Sequence, residues 1–242
     1  MRLCDRVAPM SAQEQDRLLR FAALIKQELE GSGESVALIS RSGLDLSRFA
    51  SRNGDEKYVV FFHGTTWASK LWPEQYWCKL AALAAADGYR VKLLWGNDEE
   101  LQRARAISGA SGNVDVLGQQ SLTDIARLLV NSQGVVAVDT GLAHLAAALS
   151  VPVISIYGSS SPQLTGTYGR RQLHLRGDLA CVPCLQKTCK YAGEPQVDEI
   201  DGERLTIRPA CFRRNPPDLV WEKFRFLRAG GQGSLDGLFY PG

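Results

Sequence analysis

Two short segments of this chain carry the residue types that bind a phosphorylated ligand. His63-Gly64-Thr65-Thr66-Trp67-Ala68-Ser69-Lys70 supplies a glycine for close backbone approach, two threonine hydroxyls and an ammonium. Those groups suit phosphate oxygens, although an ordinary polar loop has the same composition. Asp139-Thr140-Gly141-Leu142-Ala143-His144 is the second. Here Thr140 and Gly141 stand at the mouth of a helix, whose free N–H groups and positive dipole end favour a diphosphate. His144 lies three residues beyond Gly141, on the same face of the first turn. The blander alternative makes Asp139 an N-cap and His144 a satisfied, partly buried histidine. No G-x-G-x-x-G follows a strand, so dinucleotide binding is not expected.

The elements that position these segments are legible from Lys57 onward. Tyr58 to Phe62 is a continuous apolar run, as expected of a strand covered on both faces. Pro73 opens a helix to Ala86 and Gly88 closes it. Arg90 to Trp95 reads as a strand, 98–107 as a helix, Val114 to Leu117 as a strand and Ser121 to Val130 as a helix. Gly134 to Val138 reads as a strand, Gly141 to Leu149 as a helix and Pro152 to Tyr157 as a strand. This alternation predicts an α/β fold, a Rossmann-like doubly wound parallel sheet. Ligands of such sheets bind at the carboxyl ends of the strands, where both polar segments fall. Upstream, Ser11 and Glu14 form a capping-box pattern before Leu18, Phe21, Ala22, Ile25 and Leu29 at helical spacing. Beyond Tyr168 the pattern weakens. Asp218 to Leu227 reads as a last helix and 229–242 as an unstructured tail.

The chain has 242 residues, 45% hydrophobic and 22% charged, with a formal net charge of +2. That length allows one large domain, or one domain and part of another. The charge balance gives no electrostatic case for a nucleic-acid partner. No apolar run reaches the ~18 residues of a membrane helix, and the N-terminus lacks a signal-peptide pattern. A cytoplasmic location follows by default, with the six cysteines reduced. Cys181-x2-Cys184-x4-Cys189, with Cys211 later, has the donor type for zinc or an iron–sulfur cluster. Pro183 and the long final gap match no standard zinc ribbon, so a reduced structural loop is the preferred reading. Trp72, Tyr76 and Trp77 read as core, and His174 as structural.

Taken together, the motifs resemble those of the bacterial ADP-heptose:lipopolysaccharide heptosyltransferases. The resemblance rests on Val138 to Leu149, then Pro152 and Ile156-Tyr157-Gly158. His63-Gly64-Thr65-Thr66, Lys70, Trp72-Pro73-Glu74 and Trp77 resemble the matching loop of the type I branch. Leu94-Trp95-Gly96, Glu100, Arg103, Ser159, Pro162, Leu164, Gly166 and Tyr168-Gly169 fit it too. The match covers residues 57–170 and implies the nucleotide-sugar-binding C-terminal domain of a two-domain GT-B enzyme. It implies transfer of heptose, with inversion, from ADP-heptose to Kdo-lipid A at the inner face of the inner membrane. It also implies that Thr65, Thr66 and Lys70 hold the diphosphate, that Thr140 and Gly141 donate to phosphate, and that Asp139 and His144 face the heptose or diphosphate. Glu100 would accept from the ribose hydroxyls, and Gln120 would occupy the adenine-packing position. No cofactor is implied, in keeping with the absence of an Asp-x-Asp motif here. Residues 1–56 would be the end of an acceptor domain and the crossover, 57–228 the donor domain with a cysteine-rich loop at 181–211. The family's catalytic base belongs to the acceptor domain, and neither Asp5 nor Asp16 follows a strand. An alternative class is an inactive ADP-sugar-binding module lacking that domain.

Overall fold

The computed structural model describes residues 56–168, 171–231 and 238–239. The helix expected over residues 11–29 lies outside them. Alternating elements follow in chain order: β1 (Tyr58–Phe62), α1 (Glu74–Ala86), β2 (Arg90–Leu93), α2 (Asp98–Gly109), β3 (Val114–Val116), α3 (Leu122–Val130), β4 (Val135–Val138), α4 (Gly141–Ala148), β5 (Val153–Tyr157), α5 (Pro162–Thr165) and β6 (Gln172–Arg176). A hairpin, β7 (Val197–Ile200) and β8 (Glu203–Thr206), then α6 (Pro217–Arg228) and β9 (Leu238–Phe239) complete the described chain.

Seven strands form one sheet in the order β3-β2-β1-β4-β5-β6-β9. Every pairing in it is parallel. This is the doubly wound order, and the winding direction reverses between β1 and β4. β1, β4 and β5 read as apolar runs because both faces are covered. Val59 and Phe61 point into a cluster with Trp77 of α1, Ile107 of α2 and Trp221 of α6. Tyr58, Val60 and Phe62 point into the opposite cluster, with Leu129 of α3 and Leu145 of α4. β4 alternates likewise, Val136 and Val138 to the first cluster, Val135 and Ala137 to the second. Trp72, Tyr76 and Trp77 are buried and pack edge-on, as core.

Predicted boundaries hold to within a residue or two, and the shifts have local causes. Asn97 caps α2 by accepting from the Glu100 N–H, and Ser121 caps α3 by accepting from the Asp124 N–H, so Ser121 lies outside its helix. Two features differ from the sequence reading. Asp201 and Gly202, both with positive φ (51° and 84°), turn β7 into β8 where no strand was expected. In the stretch expected to be an unstructured tail, Leu238–Phe239 pairs with His174 and Leu175 of β6. No helix among the described residues is long and apolar enough to cross a membrane.

Candidate functional site

The two polar segments meet where the winding reverses. β1 leads directly into His63 and β4 directly into Asp139, and the two strands are neighbours. The Thr65 hydroxyl ties them together by donating to the Asp139 carbonyl at 3.1 Å. Behind Thr65 the chain makes a 3-10 turn, Ala68–Lys70, that carries the Lys70 ammonium back over the crevice. There Lys70 Nζ lies 2.7 Å from Asp139 Oδ2 and 4.4 Å above the Trp67 ring. Both partners are mostly covered, at 16% and 6% exposure, so solvent screens this pair less than a surface one. The same Asp139 oxygen accepts from the Thr165 hydroxyl at 3.3 Å. Asp139 is therefore no N-cap. Thr140 occupies that position with extended backbone and makes no side-chain cap bond. Exposed Gly141 begins α4 with open space where a Cβ would stand. The helix start is thus uncapped by a side chain and sterically open at Gly141.

Glu100 borders the crevice on the β2 side. Its carboxylate accepts from the Gly96 N–H at 2.7 Å, and its own N–H is taken by the Asn97 cap. The opposite carboxylate oxygen lies against Gly64, where a Cβ would stand only 2.4 Å away. Glycine is needed there for close approach. Trp95 is held nearby, donating its indole N–H to the Leu117 carbonyl at 2.7 Å.

Three imidazoles lie under the site, each kept neutral by burial. His63 is fully buried, and desolvation and then the Arg103 charge push its pKa down to about 4. His174 is lowered to about 4, chiefly by burial, and its Nε2 sits 2.8 Å from the Thr167 hydroxyl. Burial also lowers His144, against the opposing pull of Asp139. A neutral His144 beside Asp139 can donate one hydrogen bond and accept another.

A family model described as glycosyltransferase family 9 (heptosyltransferase) matches residues 3–194. The chain belongs to this family. It is 44% identical over 181 residues to lipopolysaccharide heptosyltransferase 1 of Pseudomonas aeruginosa PAO1, covering 74% of this chain and 50% of that protein. With the heptosyltransferase 1 of Escherichia coli K12 it shares 45% identity over 120 residues, 50% of this chain and 38% of that one. A solved structure, E. coli heptosyltransferase WaaC with ADP-2-deoxy-2-fluoro heptose, superposes with a TM-score of 0.51 at 36% identity, covering 62% of this chain and 47% of that chain. The chain spans half or less of the length of these relatives.

Most of the expected site residues of this heptosyltransferase-family chain gather at one crevice. Thr65, Lys70, Asp139, Thr140, Gly141 and His144 surround the ends of β1 and β4, and Glu100 flanks them. Thr66 is exposed beside them. Gln120 is exposed at the end of β3, its side-chain amide turned back to donate to the Gly118 carbonyl at 3.2 Å. The sequence reading assigned no role to the serines after β5. Ser159, Ser160 and Ser161 are buried at the carboxyl end of that strand. The Ser159 hydroxyl meets that of Ser69 at 2.7 Å, while Ser160 Oγ has no partner among the described residues. Thr165 was missed as well. A run of hydroxyls directly after an apolar strand was the available signal.

Proposed function

We propose that the crevice between β1 and β4 binds ADP-heptose, and that residues 57–228 are the donor half of an inverting heptosyltransferase acting on Kdo-lipid A. One observation carries this reading. A lysine, hydroxyls and an uncapped helix start converge at the reversal point of a doubly wound sheet, with a carboxylate placed on the β2 side. Such a crevice suits a nucleoside diphosphate. Glu100 accepts from the ribose hydroxyls, held in register by Gly96. Gln120 lies beside the base. Lys70, Thr65, Thr66 and the N–H groups at Thr140 and Gly141 take the diphosphate. Asp139, neutral His144 and the free Ser160 hydroxyl face the sugar.

Transfer requires negative charge to accumulate on the departing ADP. Lys70 and the start of α4 stabilise that charge from fixed positions, which is electrostatic catalysis with little reorganisation. The exchange is local, because Lys70 leaves the Asp139 carboxylate as it takes up phosphate. The attacking acceptor hydroxyl loses its proton to a carboxylate of the acceptor side, and no described residue takes that role. Because Kdo-lipid A is membrane-borne, the reaction occurs at the membrane surface, with the protein peripheral to the inner face.

Calorimetry with ADP and ADP-heptose tests the reading, followed by a transfer assay on Kdo-lipid A. Both nucleotides should bind. Lys70→Ala should weaken ADP by roughly 10- to 100-fold, the loss of one charge-assisted bond of about 1.5–3 kcal/mol. Failure to bind ADP overturns the assignment. Binding without transfer reduces the chain to an ADP-sugar-binding module.

A further inference from the structure

After β6 the chain leaves the sheet and makes an excursion whose cysteines the proposed reaction does not use. Cys181, Cys184 and Cys189 lie on a loop, and Cys211 lies in the 3-10 turn Ala210–Arg214 that follows the hairpin. The hairpin separates Cys211 from the other three in sequence, yet all four line one cavity of about 120 Å³, together with Ser69 and Ser159. None forms a disulfide.

Leu179 and Val182 pack against the core and anchor the start of the loop. Every residue from Leu185 to Lys190 is exposed. Leu185, directly after the second cysteine, has a φ of 53°, a left-handed conformation that leucine rarely adopts. Strained residues persist where their surroundings over-determine them. Two backbone bonds fasten the loop inward, Leu185 N–H to the Ser159 carbonyl at 2.8 Å and Ser69 N–H to the Lys187 carbonyl at 3.1 Å. Both reach turns at the candidate site, and Ser69 precedes Lys70.

We propose that Cys181, Cys184, Cys189 and Cys211 form a four-thiolate site for one zinc or iron ion that clamps this loop against the Ser69–Lys70 turn. Four sulfur donors with no open position make a structural site of the kind that favours these thiophilic metals. Among the described residues no three donors are already gathered tightly enough to hold an ion. Metal–sulfur bonds of about 2.3 Å therefore require the exposed loop to draw in toward buried Cys211. Binding a divalent ion converts four thiols to thiolates and releases four protons, with no oxidation or reduction. The ion takes no part in sugar transfer and acts by fixing where Lys70 stands.

Elemental analysis of the purified full chain tests this. About one equivalent of zinc or iron per chain is expected, falling below about a tenth in Cys184→Ser and Cys189→Ser, because each loses a ligand. Cys78→Ser, in α1, should keep the metal. If the protein is isolated without metal, zinc chloride added at one equivalent should bury four thiols against Ellman's reagent. Cobalt chloride should give thiolate-to-cobalt charge-transfer absorption, which is insensitive to whether a variant turns over substrate. The two elements separate by identity in the same analysis. Thiols equally reactive with and without zinc, or metal retained in both loop variants, overturn the proposal. So does a disulfide found by mass in the reduced-purified chain. Metal content is read without ADP, so its failure is distinct from failure of the donor site.

Discussion

Gly64 shows how one residue sets the geometry of the crevice. Its missing Cβ is the space that the Glu100 carboxylate occupies. Gly64→Ala should therefore leave the fold nearly intact, since a flexible side chain can swing away, but move the carboxylate off the position proposed for the ribose contact. ADP affinity should fall by about 10-fold, the loss of a hydrogen bond to a charged group at roughly 1.5 kcal/mol. Calorimetry checks the affinity and a thermal melt checks the fold. Unchanged affinity would remove Glu100 from the nucleotide site. The Lys70 and Asp139 side chains both stood out in the sequence, because each lies in a polar segment that follows an apolar strand. Their 2.7 Å pairing was not, since it joins positions brought together only by the β1–β4 neighbour relation.

Helix caps and turns set the elements. Ser121 both accepts from the Asp124 N–H at 3.1 Å and donates to its carboxylate at 2.6 Å. Ser121→Ala should cost about 1 kcal/mol and lower Tm by roughly 2–4 °C for a chain of this size, read by calorimetric melting. A change of under a degree would mean the cap is replaced by solvent. β1, β4 and β5 were legible because burial on both faces writes continuous apolar runs, whereas β9 fell in the stretch read as a tail. The β7–β8 hairpin was not read, although Asp201-Gly202 is a strong two-residue turn signal. Its strands carry mixed charges, with Asp198 and Glu199 interrupting Val197 and Ile200, because only one side meets the core. There Asp198 accepts from the Tyr76 hydroxyl and pairs with Arg213. The cysteine spacing was read, but not that a cavity wall would join its four members, since the hairpin closing the distance to Cys211 went unread.

At the scale of the whole molecule, the core is two apolar layers around one sheet, with neutral imidazoles at its polar margin. His63 and His174 have folded pKa values near 4, below the ordinary 6.5 of an unfolded histidine. Between these values the unfolded chain binds more protons, so their contribution to stability is full above about pH 6.5 and fades as pH falls toward 4. Each is worth up to about 3 kcal/mol across that window, and lowered His144 acts in the same direction. Urea midpoints at pH 7.5 and pH 5 should differ in favour of the higher pH, and a flat profile would show that these rings are solvated. The Lys70–Asp139 pair has a consequence for approach rather than for holding. In the ligand-free crevice that ammonium is already matched by a carboxylate, so it projects little field into solution. An incoming anionic nucleotide is then not drawn to it from a distance, and ionic strength should weigh little on how fast the crevice fills.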